Sequence, residues 1–460
     1  MSLDIKAEPI LEAMLARGGQ LAELFLEESF GLTVVMDDNK IEKVLAGVDL
    51  GAGLRLIHDL RTSYAHTNDL SEAGLMEPAR NLAVLAEGAA RQPAALKRLE
   101  PAWAFAVVKP PQGVATARKV ELVRAANAAA RAVDPRVRQV RVIYMDRVQE
   151  VRIVNSLGQE AKEKRVQSLL AVHCVAAEGA VVQTGYETMG GTRGFELFEE
   201  QDPGEVACAA ARRAVMMLSA RPAPGGSMPV VLHSSAGGTM VHEAVGHGLE
   251  ADLVLEGMSV YAGKIGELVA SPLVSVLDDA TIPGRRGSSC FDDEGSPSRK
   301  NLLIDKGVLK GYMQDRLSAL KLGAEPMGNG RRESYRFRPI PRMTNTIIAP
   351  GVDDPEAIIA DTGEGLLVKK MGGGQVNTTN GDFVFEVAEG YLIKNGRVDE
   401  PVRGATLTGN GPQALKDIDR VAGDLGYSLG TCGKDGQGSP VADAQPTLRI
   451  TRLVVGGMHE

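Results

Sequence analysis

The protein has 460 residues, 44% hydrophobic and 24% charged, a balance that excludes intrinsic disorder as the main theme. At roughly 100–200 residues per domain the length predicts two or three units. A net charge of −8, with basic runs no longer than Arg285-Arg286 and Arg331-Arg332, argues against direct nucleic-acid binding, and no apolar run approaches the ~18 residues of a membrane helix. Taken in chain order, Pro9–Arg17 reads as a helix with Ile10, Met14 and Leu15 on one face, stopped by Gly18-Gly19. Strand-like segments follow at 21–28, 32–36, 41–44 and 53–58, with Asp37-Asp38-Asn39 as a turn. Ser71 is placed to cap a helix running toward Ala90. Val108–Gly113 has no periodicity and reads as a linker, which closes a first α+β unit at 1–108.

A second α+β unit, 114–220, opens with an alanine-rich helix, Thr116–Ala132. Strands are predicted at 137–145, 148–155 and 165–176, with Asn155-Ser156-Leu157-Gly158 as a turn. A further helix covers Gly204 to about Leu218. The Pro/Gly-rich run from Arg221 to Gly226 marks the next boundary.

The remainder, 227–460, is glycine-rich and strand-dominated. Met228–Leu232 is a short strand, Ser234–Gly238 a loop, and a helix begins near Thr239. Asp305-Lys306-Gly307 and Lys394-Asn395-Gly396 carry hairpin chemistry, and Phe383, Phe385 and Val387 alternate onto one buried strand face. The predicted fold is α+β: N-terminal units with antiparallel sheets, then a larger β-rich domain carrying the motif helix.

The sharpest chemical feature is His242-Glu243-Ala244-Val245-Gly246-His247, an H-E-x-x-x-H run in a chain with only seven histidines. It has one residue more than the zinc-peptidase motif H-E-x-x-H, whose histidines share a helix face. On an ideal helix, positions i and i+5 lie roughly 140° apart. Two imidazoles so placed cannot chelate one ion, so the spacing predicts a non-ideal, π-type turn, made easier by Gly246. Two histidines leave a third ligand to be found. Cys432, in the glycine-flanked run Gly430–Gly436, and Glu250 are equal candidates on chemistry alone.

Other residues carry weaker signals. Arg331, Arg332 and Tyr335 lie in a glycine-rich segment and are candidates for stabilising an oxyanion or contacting substrate, against a structural or interface role. Asp278, Asp279, Asp292, Asp293 and Glu294 read as solvated acidic turns, since calcium-loop spacing is missing. Gly372-Gly373-Gly374 fits a turn or a bracket around a peptide. His233 reads as a satisfied core histidine. Cys174, Cys208, Cys290 and Cys432 are widely scattered, and Met1–Lys6 lacks the build of a signal peptide, so a reducing cytoplasm is expected, with Cys174, Cys208 and Cys290 as buried thiols.

The run His242–Glu250 resembles the signature of the TldD/PmbA family of metalloproteases, in its TldD branch. The segments 279–287, 310–315, 328–335, 341–346 and 430–437 are similar to further family segments, and the resemblance covers about residues 20 to 455. It implies a cytoplasmic zinc-dependent peptidase acting on unfolded or extended peptides. It implies zinc held by His242, His247 and Cys432, which resolves the choice against Glu250, and a zinc-bound water activated by Glu243 as general base. It also implies a dimer with a paralogous TldE/PmbA-like subunit, a homodimer being the alternative, and a substrate pairing with a sheet edge. Ala251 stands where glycine is expected. Two readings compete: a peptide-binding scaffold with a purely structural zinc, and a thiol hydrolase using Cys432.

Overall fold

The computed structural model describes residues 3–457. Met1 and Ser2, which open the segment read for a signal, lie outside the described residues, as do the last three positions of the third unit.

The two N-terminal units share one sheet. Its strands run in the order 61–67, 40–58, 21–37, 137–155, 159–178, 97–98, with 181–191 also paired to 159–178. Strand Leu21–Asp37 pairs antiparallel with Lys40–His58 on one side and Val137–Asn155 on the other, which joins the first segment to the second. The separate short strands expected here are continuous. Gly31 and Gly47, where the reading broke off, sit opposite each other, so neither leaves a neighbouring side chain without a partner. Asp38 and Asn39 take positive φ of 42° and 66°, which makes the tight hairpin turn expected of those residues.

Alternation along Leu21–Asp37 decides what each face meets. Ala22, Leu24 and Leu26 pack with helices Glu8–Met14 and Glu72–Ala83, and Leu32, Val34 and Met36 with helices Thr116–Ala132 and Pro203–Leu218. Ser71 caps its helix by accepting from Gly74 N–H, but that helix ends at Ala83 rather than near Ala90. The odd-numbered Glu23, Phe25 and Glu27 point the other way. Phe25 joins Val151, Ile153, Cys290, Phe291 and Tyr335 in an apolar seam against the C-terminal domain.

The C-terminal domain contains two larger sheets. One closes on itself: strand Gly365–Val376 pairs with both Gly226–Leu232 and Asp382–Lys394, and Leu448–Gly456 and Thr406–Asn410 complete the ring. Phe383, Phe385 and Val387 face its core, and the Asn395-Gly396 hairpin carries positive φ at both residues. The other sheet runs 308–309, 300–305, 276–279, 345–348, 437–445, 426–434, so Gly426–Lys434 is its terminal strand. Gly372-Gly373-Gly374 is no turn; it lies in the bulged half of Gly365–Val376, with register shifts between Lys370 and Gly374. No helix among the described residues is long and apolar enough to cross a membrane.

Candidate metal centre

The motif segment is three short helical turns of different pitch: Thr239–Val241 is α, His242–Gly246 is π, and His247–Leu249 is 3-10. His247 N–H donates to the His242 carbonyl, the i to i+5 bond that the motif spacing demands. Met240, Val241, Ala244, Val245 and Leu249 anchor the segment in the domain core. Gly246 contributes differently from expectation. Its φ of −54° and ψ of −57° suit any residue, but a Cβ there would stand 2.0 Å from Met343 Sδ. Close packing, not backbone freedom, requires the glycine. Ala251 has no left-handed backbone that would call for glycine.

The π turn sets the two imidazoles at right angles, with ring centroids 5.2 Å apart. Strand Gly426–Lys434 brings Cys432 between them. Its Sγ lies 3.2 Å from His242 Nε2 and 3.3 Å from His247 Nε2. The three ligand atoms fall within 4.8 Å of one another, the one such cluster of three or more metal-ligating side chains among the described residues. Burial pushes the Cys432 thiol up, but hydrogen bonds from both histidines bring it down to about 5. Burial lowers both histidines, yet the thiolate, with Asp443 beside His242 and Glu250 beside His247, leaves each raised overall. Two imidazoles and a thiolate in mutual reach fit a borderline-soft divalent metal.

Glu243 does not join the cluster. It is half-buried and borders a cavity of about 630 Å³ together with His242, His247 and Cys432. Burial raises its pKa, and the two histidines oppose the shift. The cavity's other walls include Gly374 to Val376, on the bulged strand, Ser428 to Lys434, on the terminal strand, and Asp435 in the turn after it.

Glu250, the alternative third ligand, is fully buried and accepts from His247 Nδ1 at 3.0 Å, on the side of the ring away from Cys432. Burial pushes its carboxyl up, but His247, Lys434 and Arg342 hold it at about 2. His242 Nδ1 has no hydrogen-bond partner, the Asp443 carboxylate being 3.7 Å away. The sequence reading missed Asp443, Lys434 and Arg342. A signal existed for Lys434: two residues beyond Cys432 on one strand, it shares that residue's face.

The three oxyanion candidates stand elsewhere. Arg331 donates to the carbonyls of Met343 at 2.5 Å and Pro440 at 2.7 Å, and burial lowers its pKa to about 10. Arg332 binds Glu23 at 2.6 Å and lies over the Phe25 ring in the domain seam. Tyr335 N–H donates to Glu27 and its hydroxyl to Asp49. None of the three is among the described residues lining the cavity.

The acidic turns are not solvated. Asp278 is buried among donors from Thr344, Thr346 and Asn329. Asp292 accepts the N–H groups of Glu294, Ser296 and Gly330, and Asp293 pairs with Arg165. Glu294 meets Arg55 at 2.5 Å and Arg316 N–H at 2.7 Å. Each carboxylate caps backbone or pairs with arginine, which burial demands. His233 is half-buried and caps a turn by accepting from Ser235 N–H. Cys174 and Cys290 are buried as expected, and burial raises both thiols to about 12; Cys208 is only half-buried.

Comparison with known proteins agrees with the geometry. Residues 22–91, 109–218 and 225–457 match, in order, the PmbA/TldA metallopeptidase domain 1, central domain and C-terminal domain. The chain is 38% identical over 460 residues to a Haemophilus influenzae metalloprotease TldD homolog, covering 98% of this chain and 95% of that protein. It is 36% identical to a Methanothermobacter thermautotrophicus metalloprotease, covering 92% and 93% respectively. The crystal structure of TldE from Thermococcus kodakarensis superposes with a TM-score of 0.78 at 19% identity, over 95% of this chain and 97% of that one, a likeness of fold. With identity spread along almost the whole chain and the His-His-Cys cluster in its C-terminal domain, the protein belongs to the TldD/PmbA family of metallopeptidases.

Proposed function

We propose that the protein is a zinc-dependent peptidase hydrolysing unfolded or extended peptides, with His242, His247 and Cys432 holding the metal and Glu243 moving the proton. The observation that carries this reading is the position of Glu243. It lies outside the ligand cluster yet borders the same cavity, where a purely structural site has no use for an adjacent carboxylate. A zinc ion held there supplies Lewis-acid activation of water and of the scissile carbonyl. Glu243 takes a proton from the attacking water and delivers it to the leaving amine nitrogen, the two transfers that amide hydrolysis requires. Its half-buried place beside the ligand cluster suits a group that must hold the proton between those transfers.

The terminal strand Gly426–Lys434 offers an extended substrate main-chain hydrogen-bonding groups beside Cys432. The bulged half of strand Gly365–Val376 borders the same cavity through Gly374, Gln375 and Val376. A paralogous TldE/PmbA-like subunit completing the cavity, in a reducing cytoplasm that keeps Cys432 a thiol, belongs to the same reading.

The test is Glu243→Ala in protein purified alone and co-expressed with such a paralog. We expect retained metal content and melting temperature, with cleavage of an unstructured peptide library reduced about 10²–10⁴-fold. Cleavage surviving unchanged would remove Glu243 as the base. Activity that persists after zinc is stripped would instead favour a Cys432 nucleophile.

A further inference from the structure

The two parts of the metal centre lie far apart in the chain, on the motif segment and on strand Gly426–Lys434. One buried charge cluster joins them. Glu250 Oε2 accepts from His247 Nδ1 at 3.0 Å and from Lys434 Nζ at 3.1 Å. Lys434 Nζ also reaches Asp252 at 2.7 Å and the Pro341 carbonyl at 3.2 Å. Arg342 donates to the Cys432 carbonyl, with its Nε 3.9 Å from Glu250 Oε1. Glu250 and Arg342 are each 1% exposed or less. We infer that Glu250 is a positioning residue: it fixes His247 with the proton on Nδ1 and Nε2 turned to Cys432, and through Lys434 it holds the histidine in register with the thiol's strand.

Three observations support this inference, which rests on the zinc reading above. First, the Nε2 of His247 faces Cys432 Sγ at 3.3 Å, so the nitrogen that Glu250 engages is the one a metal would leave free. A carboxylate on the free nitrogen of a ligating imidazole fixes its tautomer and ring orientation and raises its basicity. Second, the carboxylate's direct partners are His247 and Lys434, with Arg342 Nε farther off at 3.9 Å. Its Oε1 makes no hydrogen bond, and a buried carboxylate without partners is costly, so the contacts to His247 and Lys434 account for its presence. Third, the two histidines differ. His242 Nδ1 has no hydrogen-bond partner: Asp443 Oδ2 stands 3.7 Å away, while Asp443 Oδ1 accepts from Gly238 N–H and the Ser428 hydroxyl. The hydrogen-bonded carboxylate acts on one ligand, His247, and that same carboxylate also reaches the strand of another.

The experiment compares zinc affinity of the purified full-length protein with Glu250→Ala and Glu250→Gln, by competition against a chromophoric chelator. Melting curves report folding. We expect Glu250→Ala to weaken zinc binding about 10–100-fold. Glu250→Gln falls between, because its carbonyl still accepts from Nδ1–H but lacks the charge. Cobalt substitution should shift the visible absorption bands in Glu250→Ala, a change that loss of packing alone does not produce. Unchanged affinity in a folded Glu250→Ala protein, or equal loss in both variants, overturns the inference. Should Glu250→Ala fail to fold, ¹⁵N NMR of the unsubstituted zinc-loaded protein decides. His247 protonated at Nδ1 and coordinated through Nε2 upholds the inference, and the opposite tautomer overturns it. None of these readouts needs a peptide. A protein that binds zinc through a positioned His247 yet cleaves nothing defeats the peptidase reading alone; unchanged zinc affinity in Glu250→Ala defeats this inference alone.

Discussion

His247 N–H bonds to the carbonyl of His242, five residues back, and this single backbone contact converts an H-E-x-x-x-H run into a convergent pair of imidazoles. The turn is held from outside, because Met343 packs where a side chain at Gly246 would stand. Gly246→Ala should therefore destabilise the fold by about 1–3 kcal/mol through overpacking and weaken metal binding with it. Met343→Ala in the same chain should restore part of both. A double-mutant cycle on chemical unfolding and metal content checks this; additive losses would mean that the two residues do not press on each other.

Replacing each cysteine by alanine in turn should separate Cys432 from the rest. Cys432→Ala is expected to lose most of its bound zinc in elemental analysis, whereas Cys174→Ala, Cys208→Ala and Cys290→Ala keep it. The basis is chemical as well as positional. The Cys432 thiol is lowered to about 5, while burial holds Cys174 and Cys290 at about 12, poor ligands near neutral pH. Equal zinc content in all four variants would remove the site.

Arg332→Ala should behave as a folding defect. The guanidinium is buried on Glu23 and over Phe25, and its loss leaves a carboxylate without one of its partners, at a cost of about 3–5 kcal/mol. At temperatures where the variant remains folded, KM and kcat for a test peptide should stay within about threefold of the parent. A selective fall in kcat with unchanged unfolding would return Arg332 to the reaction.

The seam around Glu294 predicts a pH effect on stability. Burial raises this carboxyl to about 8, with Asp315, Asp292 and Glu23 adding to the rise and Arg55 opposing it. A folded pKa above the unfolded value means that the native state binds the proton more tightly. The group's contribution is fully present below about pH 4.5, is lost as pH rises toward 8, and is gone above it. Between pH 6 and 9 the melting temperature of the parent should fall more steeply than that of Glu294→Gln, which has no proton to lose. Parallel curves would place the native pKa near its ordinary value.

How much was legible in the sequence follows from the range of each interaction. The π turn was readable because its cause, a five-residue spacing, is local. So were the Asp38-Asn39 and Asn395-Gly396 hairpins, whose residue types tolerate positive φ. The continuity of the long N-terminal strands was not, since Gly31 tells nothing of Gly47 opposite until the register is known. Nor was the burial of Asp292, Asp293 and Glu294. A run of acids looks solvated until Arg55 arrives from 239 positions away. Within the candidate site, the motif residues could be read from spacing, but chemistry alone left Cys432 and Glu250 level. Family resemblance favoured Cys432, and only side-chain geometry separates a ligand position from a carboxylate on the far side of an imidazole.

Cys432 lies 185 positions beyond His247, on a strand that gains its register by pairing with Gln437–Gln445. A ribosome delivers the two imidazoles long before it delivers the sulfur, and the sulfur can settle only once the later strand Gln437–Gln445 has been made as well. The centre thus forms only after two segments made far apart in time have met. A copy terminated before Cys432 has no means of completing the ligand set.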